Sequence, residues 1–140
     1  MGRYSFMVDV EAPRAHVFDL WIDLDRLTEW MQGVTRVTDI TGPADQVGTK
    51  YRIWFGPLSA EAEVLAAERP LYIRTRLRLG SIKTEMSTFF EASDDGTRLR
   101  EAFTTHGLAG TIWARILGAG SYRGSFLGEL RQFARLVEQT

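Results

Sequence analysis

The chain contains no cysteine and only two histidines, His16 and His106. Without thiols there is no disulfide framework and no thiolate metal centre, and two isolated imidazoles are too few ligands for a zinc site. Charge of one sign is missing as well. Seventeen Lys and Arg against 18 Asp and Glu leave a formal net charge of −1, so no broad positive field exists to draw nucleic acid or anionic lipid. No apolar run approaches the roughly 18 residues of a membrane span. The first residues, Met1 to Tyr4, pass directly into alternating sequence. These absences predict a cytoplasmic protein with no metal, no cofactor, no nucleic-acid partner and no membrane span.

What is present suffices for one core: 44% of the 140 residues are hydrophobic, enough to support a domain without staples. No repeat, low-complexity stretch or linker divides the chain, so residues 1–140 are expected to form a single domain. Tyr4, Phe6, Val8 and Val10 alternate with Ser5, Met7 and Asp9, the period of a half-buried strand. Pro13 fits a first helical position, and Val17, Phe18, Leu20, Trp21 and Leu24 recur at helical spacing. A second short turn is expected from Asp25 to Met31, closed by Gly33. The Val34 to Ile40 segment is β-rich and is bounded by Gly42-Pro43 and Gly48.

From Thr49 onward, strand-like segments are joined by turn signals that set registers. Gly56-Pro57 places Phe55 opposite Leu58, Ile53 opposite Ala60 and Tyr51 opposite Ala62. Arg69-Pro70 places Ala66 opposite Ile73 and Val64 opposite Thr75. Gly80-Ser81 pairs Leu77 with Thr84 and Thr75 with Met86, and the turn from Ser93 to Gly96 pairs Phe90 with Leu99 and Thr88 with Glu101. Every hairpin assigns the same parity. One face collects Tyr51, Ile53, Phe55, Ala60, Ala62, Val64, Ala66, Ile73, Thr75, Leu77, Leu79, Ile82, Thr84, Met86, Thr88, Phe90, Leu99, Glu101, Phe103 and Thr105. The other is rich in Arg, Lys and Glu. A slip of one residue would mix the two sets, so the pattern predicts one sheet with a single wet face.

After Gly107 the period becomes helical. Ile112, Ala119, Tyr122, Phe126, Leu130, Phe133 and Val137 fall on one side of a helical wheel. Gly118 and Gly120 predict a short helix, a bend, then a long one.

A strand, two short helices, six more strands and a closing helix is the element order of the helix-grip fold. The sequence resembles the START/Bet v 1-like (SRPBCC) superfamily, in its polyketide cyclase/dehydrase-like and lipid-transport branch. The resemblance is carried by Val10-Glu11-Ala12-Pro13, Val17-Phe18, Asp23 followed by Trp30-Met31-Gln32-Gly33-Val34, Gly48-Thr49-Lys50-Tyr51, Gly96-Thr97-Arg98-Leu99 and the segment from Leu130 to Glu138. It implies an α+β fold: a seven-stranded, curved antiparallel sheet wrapped around a long C-terminal helix, with two short helices between strands 1 and 2. It also implies a cavity between sheet and helix. It carries over no catalytic residue, and fold alone does not name a function.

Glu101 is the most informative polar residue, because it lies between Leu99 and Phe103 on the apolar face. An unpaired buried carboxylate is costly, so Glu101 is expected to be paired, hydrated or shifted toward protonation. It can orient a ligand hydroxyl or serve as a general acid or base, or it can be a structural carboxylate. Tyr51, Thr75, Thr84, Thr88, Thr105 and Tyr122 add hydroxyls to the same interior. With Ile53, Phe55, Ala62, Leu77, Met86, Phe103 and Phe126 they make up the expected ligand-binding wall. Small residues at Ala60, Ala62 and Ala66 leave either open space or room that a bulky neighbour fills.

The leading functional expectation is binding or carrying of a hydrophobic small molecule. The alternative is a polyketide aromatase/cyclase-like enzyme in which Glu101, Tyr51 and Tyr122 move protons. A third reading is a homodimer built on outward Trp54 and Phe89, or on the strip Gly120, Gly124 and Gly128.

Overall fold

The computed structural model describes residues 2–105 and 122–140, with side chains described for 5–104 and 127–140. β1 (Gly2–Val10) leads into α1 (Arg14–Trp21), a single 3-10 turn (Leu24–Arg26) and α2 (Leu27–Trp30). Then come β2 (Arg36–Thr38), β3 (Lys50–Phe55), β4 (Leu58–Glu68), β5 (Tyr72–Leu79), β6 (Ile82–Ser93), β7 (Gly96–Thr105) and, closing the chain, α3 (Tyr122–Gln139). The strands form one antiparallel sheet in the order β1-β7-β6-β5-β4-β3-β2.

Pro13 stands one position earlier than expected, at the cap of α1, where its carbonyl accepts the Val17 N–H at 3.1 Å. β2 is shorter than the β-rich stretch around it, because Asp39 turns to φ 56 and ends the pairing. Ile112, Ala119 and the expected glycine bend lie outside the described residues.

The hairpin registers at Gly56-Pro57, Gly80-Ser81 and the Ser93 to Gly96 turn are those expected from turn chemistry. The β4/β5 hairpin differs. Val64 faces Thr75, but a bulge follows, so that Ala66 faces Arg74 and Ala67 faces Ile73. One extra residue on β4 reverses the parity beyond it. Ala67, not Ala66, therefore packs against the core.

The wet face is laced with cross-strand ion pairs: Arg76 to Glu63 at 2.9 Å, Arg74 to Glu85 at 2.8 Å and Arg100 to Glu91 at 2.9 Å. Trp54 and Phe89 do not form one patch. Trp54 lies beneath Arg36 (4.2 Å to the ring centre), while Phe89 lies beneath Arg100 (4.3 Å) and beside Tyr72. Three strand spacings separate them. Of the glycine strip, Gly128 sits near the Gln32 side chain, and Gly120 lies outside the described residues.

On the dry face, Leu130, Phe133, Ala134 and Val137 of α3 share one core with Val10, Val17, Phe18, Ile53, Val64, Phe90, Leu99 and Phe103. Ala60 and Ala62 are completely buried members of that core, so their small size accommodates neighbours rather than open space.

Candidate functional site

Where α1, the 3-10 turn and α2 cross the sheet, the core does not close. Trp21, Leu24, Leu27, Trp30 and Met31 form one wall, and Tyr51, Ile53, Ile73, Thr75, Met86, Thr88 and Glu101 form the sheet wall. Ala44 of the β2–β3 connection and Glu129 of α3 complete the described lining. The cavity has a volume of about 40 Å³, room for a few waters.

The aromatic wall is a stack with specific geometry. Trp21 and Trp30 lie 4.8 Å apart, and Phe133 meets both edge-on at 5.1 and 4.9 Å. Trp30 is 6% exposed, and its indole N–H has no acceptor among the described residues.

Strand alternation places Glu101 inward. On β7 it shares a face with Leu99 and Phe103, directly opposite Thr88 on β6 and Phe6 on β1. It is 4% exposed. Burial, reinforced by the nearby Glu129 carboxyl, pushes its pKa up to about 8. Glu129 comes from the opposite wall. Burial pushes it to about 8 as well, against the pull of the Gln32 backbone N–H that donates to it at 3.1 Å. The first carboxyl to ionise makes the second harder to ionise, so the pair loses its protons in two successive steps. The Tyr51 ring is half-buried, but its phenol lies deep enough that burial pushes it to about 12, while a hydrogen bond with Thr75 opposes the shift. At neutral pH, Tyr51 is therefore a neutral hydroxyl.

Of the residues expected from sequence to meet a ligand, the cavity brings together Tyr51, Ile53, Thr75, Met86, Thr88 and Glu101. Ala62, Leu77, Thr84 and Phe103 are buried in the surrounding core, and Phe55 is half-buried. None of these five is in the described lining. The side chains of Thr105, Tyr122 and Phe126 lie outside the described residues.

Glu129 escaped the sequence reading. It stands three residues after Phe126 and four before Phe133, squarely on the apolar stripe, so the anomaly that marked Glu101 marked it too. Ala44 carried no comparable signal. Among the described residues, no group of three or more His, Cys, Asp or Glu could hold a metal ion. No described helix is long and apolar enough to cross a membrane.

A curved seven-stranded antiparallel sheet gripping a C-terminal helix, with a cavity between them, defines a protein of the Bet v 1-like helix-grip class. The chain belongs to the polyketide cyclase/dehydrase and lipid transport family, whose model matches residues 10–107. A protein from Mesorhizobium loti shares the fold with a TM-score of 0.78 at 16% identity, over 99% of this chain and 98% of that one. Ara h 8.0201 does so with a TM-score of 0.74 at 14% identity, over 99% of both. DynU16, a putative protein in the dynemicin biosynthetic locus, matches with a TM-score of 0.74 at 19% identity, over 97% of this chain but 47% of its own. A search of curated protein sequences finds no match.

Proposed function

We propose that the chain binds a hydrophobic small molecule with a polar end, and that the cavity beneath the two short helices is its site. The observation that carries this reading is the opening in an otherwise close-packed core, apolar on most of its surface yet provided with inward hydroxyls and carboxyls. Membership of a family described by lipid transport and polyketide cyclisation supports it. At about 40 Å³ the cavity is narrow, so a guest larger than a few atoms enters by displacing wall residues. Half-buried Met31 and Met86, unbranched and adaptable, are suited to give way. Titration with an apolar fluorophore is expected to change tryptophan emission, because Trp21 and Trp30 line the site. Ala44→Phe, which fills the cavity from the β2–β3 connection, is expected to abolish that change while the circular dichroism spectrum stays native. Equal binding by both proteins, or binding by neither, removes the proposal.

The carboxyl pair favours a second reading, acid–base catalysis of the polyketide cyclase type. Two carboxyls that titrate near neutrality supply a proton donor and an acceptor within one water-poor site. Tyr51 would then hold a substrate oxygen as a neutral donor. If Glu101→Gln turns over a model poly-β-ketone at the rate of the unaltered protein, Glu101 is not the acid or base.

A further inference from the structure

The described cavity wall is unbalanced in charge. It carries two carboxyl groups, Glu101 from β7 and Glu129 from α3, and the described lining contains no Arg, Lys or His from α1, α2, β3, β5, β6 or the β2–β3 connection. The other titratable group in that lining is the Tyr51 phenol. An anionic guest would be repelled by either carboxylate. A neutral guest would leave both carboxyls protonated and gain only hydrogen bonds. A cationic end lets one of them ionise and form a charge-assisted hydrogen bond, while the other, still protonated, accepts through its carbonyl oxygen, in a site shielded from water where such bonds are strongest. Trp21 and Trp30 line the same cavity, and an indole ring can stabilise positive charge further.

We propose that the cavity's guest is an apolar molecule ending in a protonated amine, with the ammonium group held between Glu101 and Glu129 and the apolar body against the tryptophans. This rests on the reading of the cavity as a site for an apolar guest and specifies the chemistry of the guest's polar end. Binding the ammonium ionises one carboxyl, so one proton leaves the protein as the amine enters. Affinity therefore rises with pH while the carboxyls would otherwise be protonated and the amine is still charged.

The test uses three probes with a shared phenylalkyl body, 2-phenylethylamine, 2-phenylethanol and 3-phenylpropanoate, titrated calorimetrically into the full chain at several pH values. The amine is expected to bind at least about tenfold more tightly than the alcohol at pH 8, and the carboxylate not measurably. Below the carboxyl pKa the amine's affinity should rise by about tenfold per pH unit, one proton leaving per molecule bound, while the alcohol's stays flat. In Glu101→Gln, Glu129→Gln and the double variant the ratio of amine to alcohol affinity should fall toward one. The single variants carry the test if the double one does not fold. Alcohol binding as tight as amine binding, or an amine preference that survives in the Gln variants, overturns the cationic assignment and leaves the cavity reading standing. No binding by any probe overturns both.

Discussion

The Glu129 carboxylate accepts the backbone N–H of Gln32 at 3.1 Å, joining the middle of α3 to the residues just past α2, directly beside the cavity. A single side chain thus fastens the helix that fills the sheet to the helix pair that roofs the cavity. Both Glu129 and its neighbour Glu101 are held near pKa 8, mainly by burial, while in the unfolded chain each returns to its ordinary 4.5.

That difference links stability to pH. Between 4.5 and about 8 the folded protein holds protons that the unfolded chain has released. The stabilising contribution is complete below the lower value and is lost as pH rises through the upper one. Each pKa unit weighs about 1.4 kcal/mol, so the two carboxyls together are expected to lower stability by several kcal/mol between pH 5 and 8.5. Urea unfolding across that range measures it. In Glu101→Gln the decline should be roughly halved. A stability that is flat in pH, or that rises with it, would show that the carboxyls are already ionised in the fold.

The aromatic stack on the cavity wall makes a second demand. Phe133 has no exposed surface and meets Trp21 and Trp30 edge-on. Phe133→Ala should cost about 3–5 kcal/mol, since truncation removes buried area and leaves a void. It should also shift tryptophan emission to the red as water reaches the two indoles. A loss below about 1 kcal/mol would mean that the wall collapses freely onto α3.

How much of this was legible in the sequence depended on whether a signal was local. Turn residues a few positions from their strands determined three hairpin registers, and with them the inward placement of Glu101 opposite Thr88. The β4 bulge was illegible because Val64, Leu65, Ala66 and Ala67 are all apolar, so a shift by one residue leaves no polar residue on the wrong face. The partnership of Glu129 with Gln32 spans 97 positions, beyond the reach of any periodicity. The width of the cavity depends on how Trp21, Trp30 and Phe133 pack together, and no pattern along the chain encodes that distance.

The outer face of the sheet should contribute little to stability despite its ion pairs. Arg76 and Glu63 are directly opposed at 2.9 Å, with side chains 32% and 26% exposed. Solvent screening at that exposure limits the pair to about 0.2–1 kcal/mol. A double-mutant cycle with Arg76→Ala and Glu63→Ala should return a coupling in that range, shrinking in 1 M NaCl as the screening length falls to about 3 Å. A salt-independent coupling would point to a hydrogen bond, not charge, as its main component.

The corner where β7 begins should tolerate no side chain. Gly96 has φ +149, and a Cβ there would stand 2.3 Å from the Val10 carbonyl oxygen and 2.8 Å from the Ala12 nitrogen. Both contacts are with backbone, which cannot swing aside as a flexible side chain can. Beside it the buried Thr97 hydroxyl donates to the Ala12 carbonyl at 2.8 Å, holding the end of β1 against the β6/β7 turn. Gly96→Ala should therefore cost about 1–3 kcal/mol from overpacking, with backbone strain added. Gly80→Ala separates the two effects: Gly80 also has positive φ, but nothing lies within 4 Å of its added Cβ, so only the cost of left-handed backbone, about 1–2 kcal/mol, should appear. Equal losses in the two variants by urea denaturation would assign the whole effect at Gly96 to backbone conformation and none to the contact with β1.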